Sequence, residues 1–169
     1  MMLRRESYNV PVAISLLFFD VDHFKSVNDT HGHKAGDNVL QKIGSLLQDM
    51  FKRDTDIVGR WGGEEFVVAL PACNEPNAAI LAEKLRKLIE ETEIEIGDEG
   101  ESRKIKVTVS IGAVTAGLHK LTEPDVIGPI NDIIGRADAH MYHAKHTGRN
   151  RVCSGTVFYG QQSDEPVLS

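Results

Sequence analysis

The sequence predicts an α+β fold, with a central, mostly antiparallel β-sheet flanked by helices. Apolar runs of strand length come in pairs separated by short turns, and segments with helical spacing of apolar residues lie between these pairs. A doubly wound parallel sheet would instead alternate single strands with helices. The 169 residues contain neither an internal repeat nor a low-complexity stretch, so we predict a single domain, residues 1–160, and a polar tail, residues 161–169.

The first strand and the first long helix have the clearest patterns. Residues 12–19 form an apolar run, interrupted by one serine, that ends at Asp20, the pattern of a strand buried on both faces. In residues 33–51, apolar side chains recur at helical spacing and predict an amphipathic helix. These side chains are Val39, Leu40, Ile43, Leu46, Leu47 and Met50.

A hairpin and a second helix are predicted next. The strands are residues 57–61 and 66–70, joined through residues 62–65, whose sequence is GGEE. After a proline, residues 75–92 predict another amphipathic helix. Its inward side chains are predicted to be Leu81, Leu85 and Leu88.

The second half of the chain predicts another hairpin, a helix and a final strand. Residues 94–112 predict a strand, a turn rich in Gly, Asp and Glu, and a second strand. Residues 117–129 contain two glycines and two prolines and predict a looser connection. Residues 130–148 predict the last helix and residues 150–154 the last strand. The inward side chains of that helix are predicted to be Ile134, Ala137, Met141 and Ala144.

Composition and charge limit the class of function. Apolar residues make up 41% and charged residues 26%, an ordinary balance for a globular protein. A net charge of −6 argues against nucleic acid as a partner, but a local basic cluster or bound cations can still hold a nucleotide. Cys73 and Cys153 are far apart and predict free thiols in a reducing compartment. Because no apolar run is long enough to span a bilayer and no signal peptide precedes the first strand, we expect a cytoplasmic domain without a membrane segment.

Four acidic residues at strand ends form the first candidate site. Asp20 and Asp22 follow the first apolar run, and Glu64 and Glu65 lie in the turn of the first hairpin. A buried carboxylate costs stability unless it is solvated, paired or bound to a cation. For the two aspartates alone, a strand-end cap is the alternative to a cation site. Adjacent strands would bring Asp20 and a glutamate within reach of one divalent cation. Ligands that are all oxygen favour Mg²⁺ or Mn²⁺ over zinc.

Glycines and backbone amides near these acids predict a phosphate site. Gly62 and Gly63 lack a Cβ atom, so a phosphate or a sugar can approach the backbone closely. The segment His23, Phe24 and Lys25 begins a short helix, whose first N–H groups are suited to cradle a phosphate.

Two further pairs of residues complete the candidates. Lys145 and Arg149 are four positions apart near the end of the last helix and are predicted to share one face, although a solvated basic helix end is the better interpretation of that pair alone. Asn28 and Asp37 suit the recognition of guanine, because an aspartate accepts from N1–H and the 2-amino group while an asparagine contacts another edge atom. Their spacing alone does not establish this role.

Four blocks of the sequence resemble the signature blocks of the GGDEF family of diguanylate cyclases. They are FFDVDHFKSVNDTHGHKAGDNVL, RWGGEEFVVALP, VTVSIGA and ADAHMYHAKHTGRNRV, in the family's order and spacing from about residue 11 to residue 152. One block alone would be a weak signal, but four in register are specific. The resemblance implies the palm-like fold of nucleotide cyclases, with a mostly antiparallel sheet flanked by helices.

The resemblance also implies an activity. Family members are homodimers that condense two GTP molecules into cyclic di-GMP and two pyrophosphates, the 3′-hydroxyl of one nucleotide attacking the α-phosphate of the other. By the family pattern, Asp20, the Val21 carbonyl and Glu64 hold Mg²⁺ or Mn²⁺, and Glu65 assists the metals or activates the hydroxyl. The implied GTP-binding residues are Asn28 and Asp37 for guanine, and His23, Phe24, Lys25, Gly62, Gly63, Lys145 and Arg149 for the rest of the nucleotide.

A second match is regulatory. Arg53 and Asp56 form an RxxD pattern at the offset from the glycines where the family has its product-inhibition site. A guanidinium and a carboxylate can clamp the phosphate and guanine of cyclic di-GMP, although a surface ion pair is the alternative. Many family members have an arginine where this chain has Lys84, which predicts weaker inhibition.

One departure from the family and two alternatives remain. Members begin with a DxLTGLxNR-like segment, whereas MMLRRESYNVP precedes the first strand here, and an upstream sensory domain is expected in the full-length protein. One alternative is a degenerate module that senses GTP or cyclic di-GMP, although such modules usually lose a glycine or an acid of the GGEEF block. The other is a different nucleotide cyclase or a polymerase-palm enzyme, against which Asp37 favours guanine.

Overall fold

A computed structural model describes residues 12–97, 103–118 and 127–160. The predicted tail at residues 161–169 and the segment before residue 12 lie outside this range. The elements are β1 (Val12–Val21), α1 (Phe24–His31), α2 (His33–Met50), β2 (Ile57–Gly62), β3 (Glu65–Pro71), α3 (Glu75–Glu91), β4 (Ile94–Ile96), β5 (Arg103–Ile105), β6 (Val109–Leu118), α4 (Ile127–His146) and β7 (Val152–Tyr159). None of the helices in the described ranges is both long and apolar enough to cross a membrane.

The predicted fold class is confirmed. Five strands form one sheet in the order β2-β3-β1-β6-β7, in which every pair is antiparallel except the parallel pair β6–β7. β4 and β5 form a separate two-stranded sheet. The fold is therefore α+β with a mostly antiparallel sheet, and its central strands are β1 and β6.

The apolar run of β1 is buried on both faces, which explains why it lacks polar alternation. Leu17 and Phe19 belong to the core formed with α2 and α3, whereas Leu16 and Phe18 belong to the core formed with α4. The one hydroxyl in the run, that of Ser15, is buried and hydrogen-bonded to the Cys73 carbonyl and the Thr115 hydroxyl. Helices thus cover both faces of the sheet and hold the end of β1 in a fixed place.

Helix α4 lies unusually close to β6. An added Cβ atom on Gly112 would overlap the carbonyl oxygen of Ala137 and crowd the backbone nitrogen of Met141. Only a glycine at the centre of β6 therefore permits this approach of the helix to the sheet.

Two sequence predictions were wrong in detail. Residue 117, predicted in a loose connection, lies in β6, whose second half contains glycines and alanines that weaken the strand pattern. Helix α3 turns inward Ala78, Ala82, Leu85 and Ile89, while Leu88 is 36% exposed. In α4, Ile133 is buried, and Ile134, predicted to be inward, is partly buried and packs against the same core cluster.

Candidate functional site

The end of β1 meets the first hairpin at one edge of the fold. The register of β1 and β3 places Asp20 opposite Glu65, and the Val21 N–H donates to the Glu64 carbonyl at 3.3 Å. The antiparallel pairing brings the carboxyl end of β1 to the start of β3. Three of the predicted acidic residues thus lie together.

Asp20 is the most perturbed of these acids. It is 4% exposed, and its Oδ2 lies 2.7 Å from the Nζ of Lys145. Burial raises the pKa of Asp20 to about 6, the Lys145 ammonium opposes this rise, and the charges of Glu64 and Glu65 add to it. The cluster is acidic, and one lysine partly compensates it.

The Lys145 contact gives Asp20 a basic partner that no sequence pattern near β1 indicates. Lys145 lies in the last turn of α4, and α4 packs across β1 and β6. The packing of this helix therefore carries a residue distant in sequence to the end of β1.

Asp22 has a different environment from Asp20. Its carboxylate accepts hydrogen bonds from the Thr108 hydroxyl at 2.7 Å, the Ser110 hydroxyl at 2.6 Å and the Asn150 N–H at 3.0 Å. These donors satisfy the charge within the fold. The strand-end cap considered for both aspartates therefore describes Asp22, while Asp20 faces the acidic cluster.

The hairpin turn leaves room above its two glycines. Gly63 has a φ of 51°, a conformation that favours glycine, and the Arg60 Nε donates to its carbonyl at 2.8 Å. A Cβ atom added to Gly62 or Gly63 would meet no atom within 4 Å. The Arg60 hydrogen bond thus holds the turn, and the space beside its glycines is open, as the approach of a phosphate or a sugar requires.

Gly36, which is not among the residues predicted from the sequence, links the two candidate base-recognition residues. An added Cβ atom on Gly36 would overlap Asn28 Oδ1, so the side chain of Asn28 lies directly over this glycine. Asp37 follows Gly36 and lines a cleft of about 360 Å³ between α2 and the β2–β3 hairpin. The apolar walls of the cleft include Leu40, Val58 and Phe66. Its mixture of apolar walls and one carboxylate suits a planar heterocycle. The one feature of the sequence that points to Gly36 is its position between Asn28 and Asp37.

The start of α1 and the end of α4 flank the acidic cluster. His23 occupies the N-cap position of α1 with a φ of 57° and makes no capping hydrogen bond with its side chain. The first N–H groups of α1, including those of Phe24 and Lys25, therefore lack a cap acceptor. Arg149 lies beyond the end of α4, in a turn where its φ is 59°. The prediction that Lys145 and Arg149 share a helix face is wrong, because the helix ends at His146.

The RxxD residues form an ion pair at the other end of β1. Arg53 donates to Asp56 Oδ1 at 2.8 Å and to the Pro71 carbonyl at 2.7 Å. Pro71 pairs with Ile14, six positions from Asp20 along β1, which corresponds to roughly 20 Å. Beside the ion pair is a second cleft of about 360 Å³. It is lined by Met50, Phe51, Lys52, Arg53, Asp56, Leu70, Cys73 and Leu81. Lys84 is exposed on α3, one turn beyond Leu81.

The acidic cluster does not contain a metal site made of side chains alone. Within residues 12–97, 103–118 and 127–160, no three His, Cys, Asp or Glu side chains converge with metal-binding geometry. Asp20, Glu64 and a backbone carbonyl would give only part of a coordination shell. An Mg²⁺ ion would complete it with waters and substrate phosphates, as this ion usually does.

Comparisons with known proteins agree on one family. The family model "Diguanylate cyclase, GGDEF domain" matches residues 2–151. Over 141 residues the chain is 43% identical to Uncharacterized protein YhcK of Bacillus subtilis, covering 82% of this chain and 36% of that protein. Over 139 residues it is 37% identical to Diguanylate cyclase A of Treponema denticola, covering 82% of this chain and 34% of that protein. The chain spans about a third of the length of these curated relatives.

A solved structure with the same fold is the GGDEF domain of DgcB from Caulobacter crescentus in complex with c-di-GMP. The two are similar with a TM-score of 0.70 and 28% identity, covering 85% of this chain and 78% of that chain. The sheet order and the helices described above are therefore those of a known domain type.

Proposed function

This chain belongs to the GGDEF family of diguanylate cyclases, and we propose that it condenses two GTP molecules into cyclic di-GMP and two pyrophosphates. The observation that carries the proposal is the meeting of Asp20, Glu64 and Glu65 beneath an open glycine turn, with Lys145 beside them. Phosphoryl transfer requires positioning and neutralisation of charge more than covalent help from the protein. A cluster of carboxylates that can hold a divalent cation next to open backbone meets that requirement.

The residues present fit a divalent cation. Asp20 is a buried carboxylate whose pKa is raised to about 6, and its acidic neighbours repel it, so the folded chain gains by placing a cation there. Asp20, the carbonyl of Val21 and Glu64 would hold Mg²⁺ or Mn²⁺. When bound, the ion supplies Lewis-acid neutralisation of the triphosphate.

The residues of the chain then have separate tasks toward GTP. Asn28 and Asp37 read the guanine from the α1–α2 side, and the N–H groups of His23, Phe24 and Lys25, at the start of α1, receive phosphate oxygens. Gly62 and Gly63 let the nucleotide lie against the hairpin. Lys145 and Arg149 contact the terminal phosphates, and Glu65 accepts the proton of the 3′-hydroxyl or assists the metal. Since each chain holds one GTP, the reaction needs two chains facing each other as a homodimer.

The direct test is incubation of the purified chain with GTP and Mg²⁺, followed by separation of the nucleotides. We expect cyclic di-GMP and pyrophosphate in a ratio of one to two, and no product in the presence of a chelator. Calorimetry with GTP, with and without Mg²⁺, separates binding from turnover. Metal-dependent GTP binding without product would favour the sensor alternative, and equal affinity in both conditions would contradict the metal assignment.

Replacing the proposed base reader should relax nucleotide choice. Asp37→Ser removes the carboxylate that accepts from guanine, so the preference for GTP over ATP should fall by an amount equivalent to about 1–3 kcal/mol, the cost of an unpaired polar group. Competition binding of GTP and ATP measures it. The matched control is Asp49→Ser, an exposed aspartate at the far end of the same helix. If the Asp37→Ser protein keeps the wild-type preference, Asp37 does not read the base.

We also propose that cyclic di-GMP inhibits the enzyme by binding at Arg53 and Asp56, assisted by Lys84. The cleft beside this ion pair lies roughly 20 Å from Asp20 along β1. A product dimer there would hold two domains in an arrangement where their GTP sites cannot meet. Because Lys84 offers a point charge where an arginine would offer a planar fork, the affinity is expected to be below that of arginine-bearing relatives.

Arg53→Ala should distinguish the proposed cyclic di-GMP site from the proposed GTP site. Loss of its charge-assisted phosphate contact is expected to weaken cyclic di-GMP binding by about tenfold or more, while GTP binding stays nearly unchanged. Titration of product against the wild type and the variant measures this. Arg136→Ala, which removes an equally exposed arginine from an ion pair with an aspartate on α4, controls for loss of one positive charge. Indistinguishable product curves would mean that the motif is only a surface ion pair.

A further inference from the structure

The turn after α4 has an uncommon backbone. Gly148, Arg149 and Asn150 have φ values of 125°, 59° and 45° in succession. Two of these residues carry a Cβ atom, and non-glycine residues keep such a conformation only where the surrounding contacts impose it. Because Arg149 is the proposed phosphate contact, whatever holds this turn also decides where the Arg149 side chain begins.

Asn150 is held by three hydrogen bonds to two parts of the fold. Its N–H donates to Asp22 Oδ2 at 3.0 Å, its Oδ1 accepts from Arg86 Nη1 at 2.6 Å, and its Nδ2 donates to Glu90 Oε1 at 2.7 Å. Asparagine also tolerates a left-handed backbone better than most residues. The same side chain therefore suits the backbone of the turn and ties the turn to α3.

Arg86 is a charged residue on the inward side of α3. It is 8% exposed, and it donates to both oxygens of Glu83 at 2.9 and 2.8 Å and to Glu90 Oε2 at 2.7 Å. Hydrogen bonds from Asn150 and Arg86 hold the pKa of Glu90 below its usual range. A buried guanidinium is costly unless its donors are satisfied, and here one of its donors is used by Asn150. The proposed reaction assigns no direct role to Arg86.

The arrangement connects α3 to the acidic cluster. Asn150 links Arg86 and Glu90 on one side to Asp22 on the other, and Asp22 lies two residues after Asp20 in the chain. We call Arg86, Glu90 and Asn150 the clamp. Arg149, next to the clamp, is exposed and has no ion-pair partner among the residues that the structure describes.

We propose that Arg86 and Asn150 are positioning residues, which fix the left-handed turn so that the Arg149 guanidinium is directed at the phosphates of GTP. The inference rests on the proposed function, because it assumes that Arg149 contacts GTP. The clamp residues themselves do not touch the nucleotide.

Asn150→Gly tests the proposal with little backbone strain. Glycine accepts the same positive φ and keeps the N–H bond to Asp22, so only the two side-chain hydrogen bonds of the clamp are lost. We expect GTP affinity in Mg²⁺ to fall about tenfold, which corresponds to the loss of one charge-assisted hydrogen bond. In an Arg149→Ala background the same substitution should change affinity less than about twofold, because its effect passes through Arg149. Calorimetry of the four proteins gives the cycle, and thermal unfolding of each reports stability separately.

A rescue pair gives a second test. Asn150→Asp places a carboxylate against Glu90 and should weaken GTP binding, whereas Asn150→Asp combined with Glu90→Gln restores a donor–acceptor pair with the two groups exchanged. The double variant should recover most of the affinity. Arg136→Met, which removes an exposed arginine–carboxylate pair from α4, is the control and should leave GTP affinity unchanged.

The outcomes are distinguishable. If Asn150→Gly weakens GTP binding equally with and without Arg149, or if affinity follows the melting temperature alone and the rescue pair does not recover, the clamp is merely structural and the inference is overturned. If Arg149→Ala weakens binding but Asn150→Gly does not, the inference fails while the proposed function stands. Absence of GTP binding by the wild-type chain would overturn the proposed function, and the inference with it.

Discussion

Asp20→Asn is expected to lower the rate of cyclic di-GMP formation by on the order of 10²- to 10³-fold, the cost of removing one group that stabilises charge at a phosphoryl-transfer site. Asparagine has the size of aspartate but not its charge, so it should hold a divalent cation poorly. The fold should remain, because the main interaction that the substitution removes is the ion pair between Asp20 and Lys145.

The measurement is initial rate at saturating Mg²⁺ and GTP, with calorimetry for the metal dependence of GTP binding. Asp49→Asn, an exposed aspartate on α2, is the matched control and should retain the wild-type rate. A rate within about threefold of wild type for Asp20→Asn would exclude this carboxylate from the site of charge neutralisation.

The same variant should alter stability as a function of pH. The pKa of Asp20 is raised from 3.8 to about 6 in the folded chain, so folding favours its protonated form. Its contribution to the free energy of unfolding is therefore present below pH 4 and is lost as the pH rises to about 6, by at most about 3 kcal/mol. Without metal, Asp20→Asn should remove this loss and be more stable than wild type at pH 7. Denaturant titrations from pH 3.5 to pH 7.5 give the free energy of unfolding of both proteins as a function of pH. The same pH dependence in both proteins would contradict the shifted pKa.

Gly112→Ala is expected to destabilise the fold by about 3 kcal/mol or to prevent folding, the upper range for overpacking. The added methyl group would overlap the carbonyl oxygen of Ala137 and crowd the Met141 nitrogen, and backbone atoms cannot rotate away as a flexible side chain can. Helix α4 would have to move off the sheet and would take Lys145 with it.

The control is Gly135→Ala, which makes the same substitution on α4, the helix that packs against Gly112. Residue 135 is exposed, and a Cβ atom there meets nothing within 4 Å, so this variant should be more stable by about 0.5–1 kcal/mol through helix propensity. Denaturant unfolding of both variants measures the difference. Equal stability of Gly112→Ala and wild type would show that α4 does not pack against β6 as described.

The parts of the site that follow the chain locally were predictable from the sequence. The continuous apolar run of β1 and the acids at its end required a buried strand, and the glycines of the hairpin indicated an unusual turn. Pairing of β1 with β3 then placed Asp20 opposite Glu65, as adjacent strands were expected to do. These predictions depend only on strand periodicity and on turn chemistry.

The parts that depend on how helices cross the sheet were not predictable. Lys145 reaches Asp20 because α4 lies across β1 and β6, which no pattern within α4 reveals. The small residues that let helices approach closely also weaken the apolar signal, which therefore ends β6 too early and favours Leu88 as an inward residue over Ala78 and Ala82. The burial of Arg86 has no signal in the sequence, because charged side chains are mostly exposed.

With Asp20 holding the cation and Lys145 the phosphates, as proposed, the ion pair between them would make the affinities for metal and nucleotide depend on each other. Asp20 can serve a cation fully only when Lys145 gives up its 2.7 Å contact, and Lys145 can turn to a phosphate only when Asp20 has another positive partner. Each ligand thus removes the obstacle to the other, and linkage requires that the two affinities rise by the same factor. The chain would then discriminate against metal alone and against free nucleotide alone, and would respond in the cell to the concentration of the magnesium–nucleotide complex.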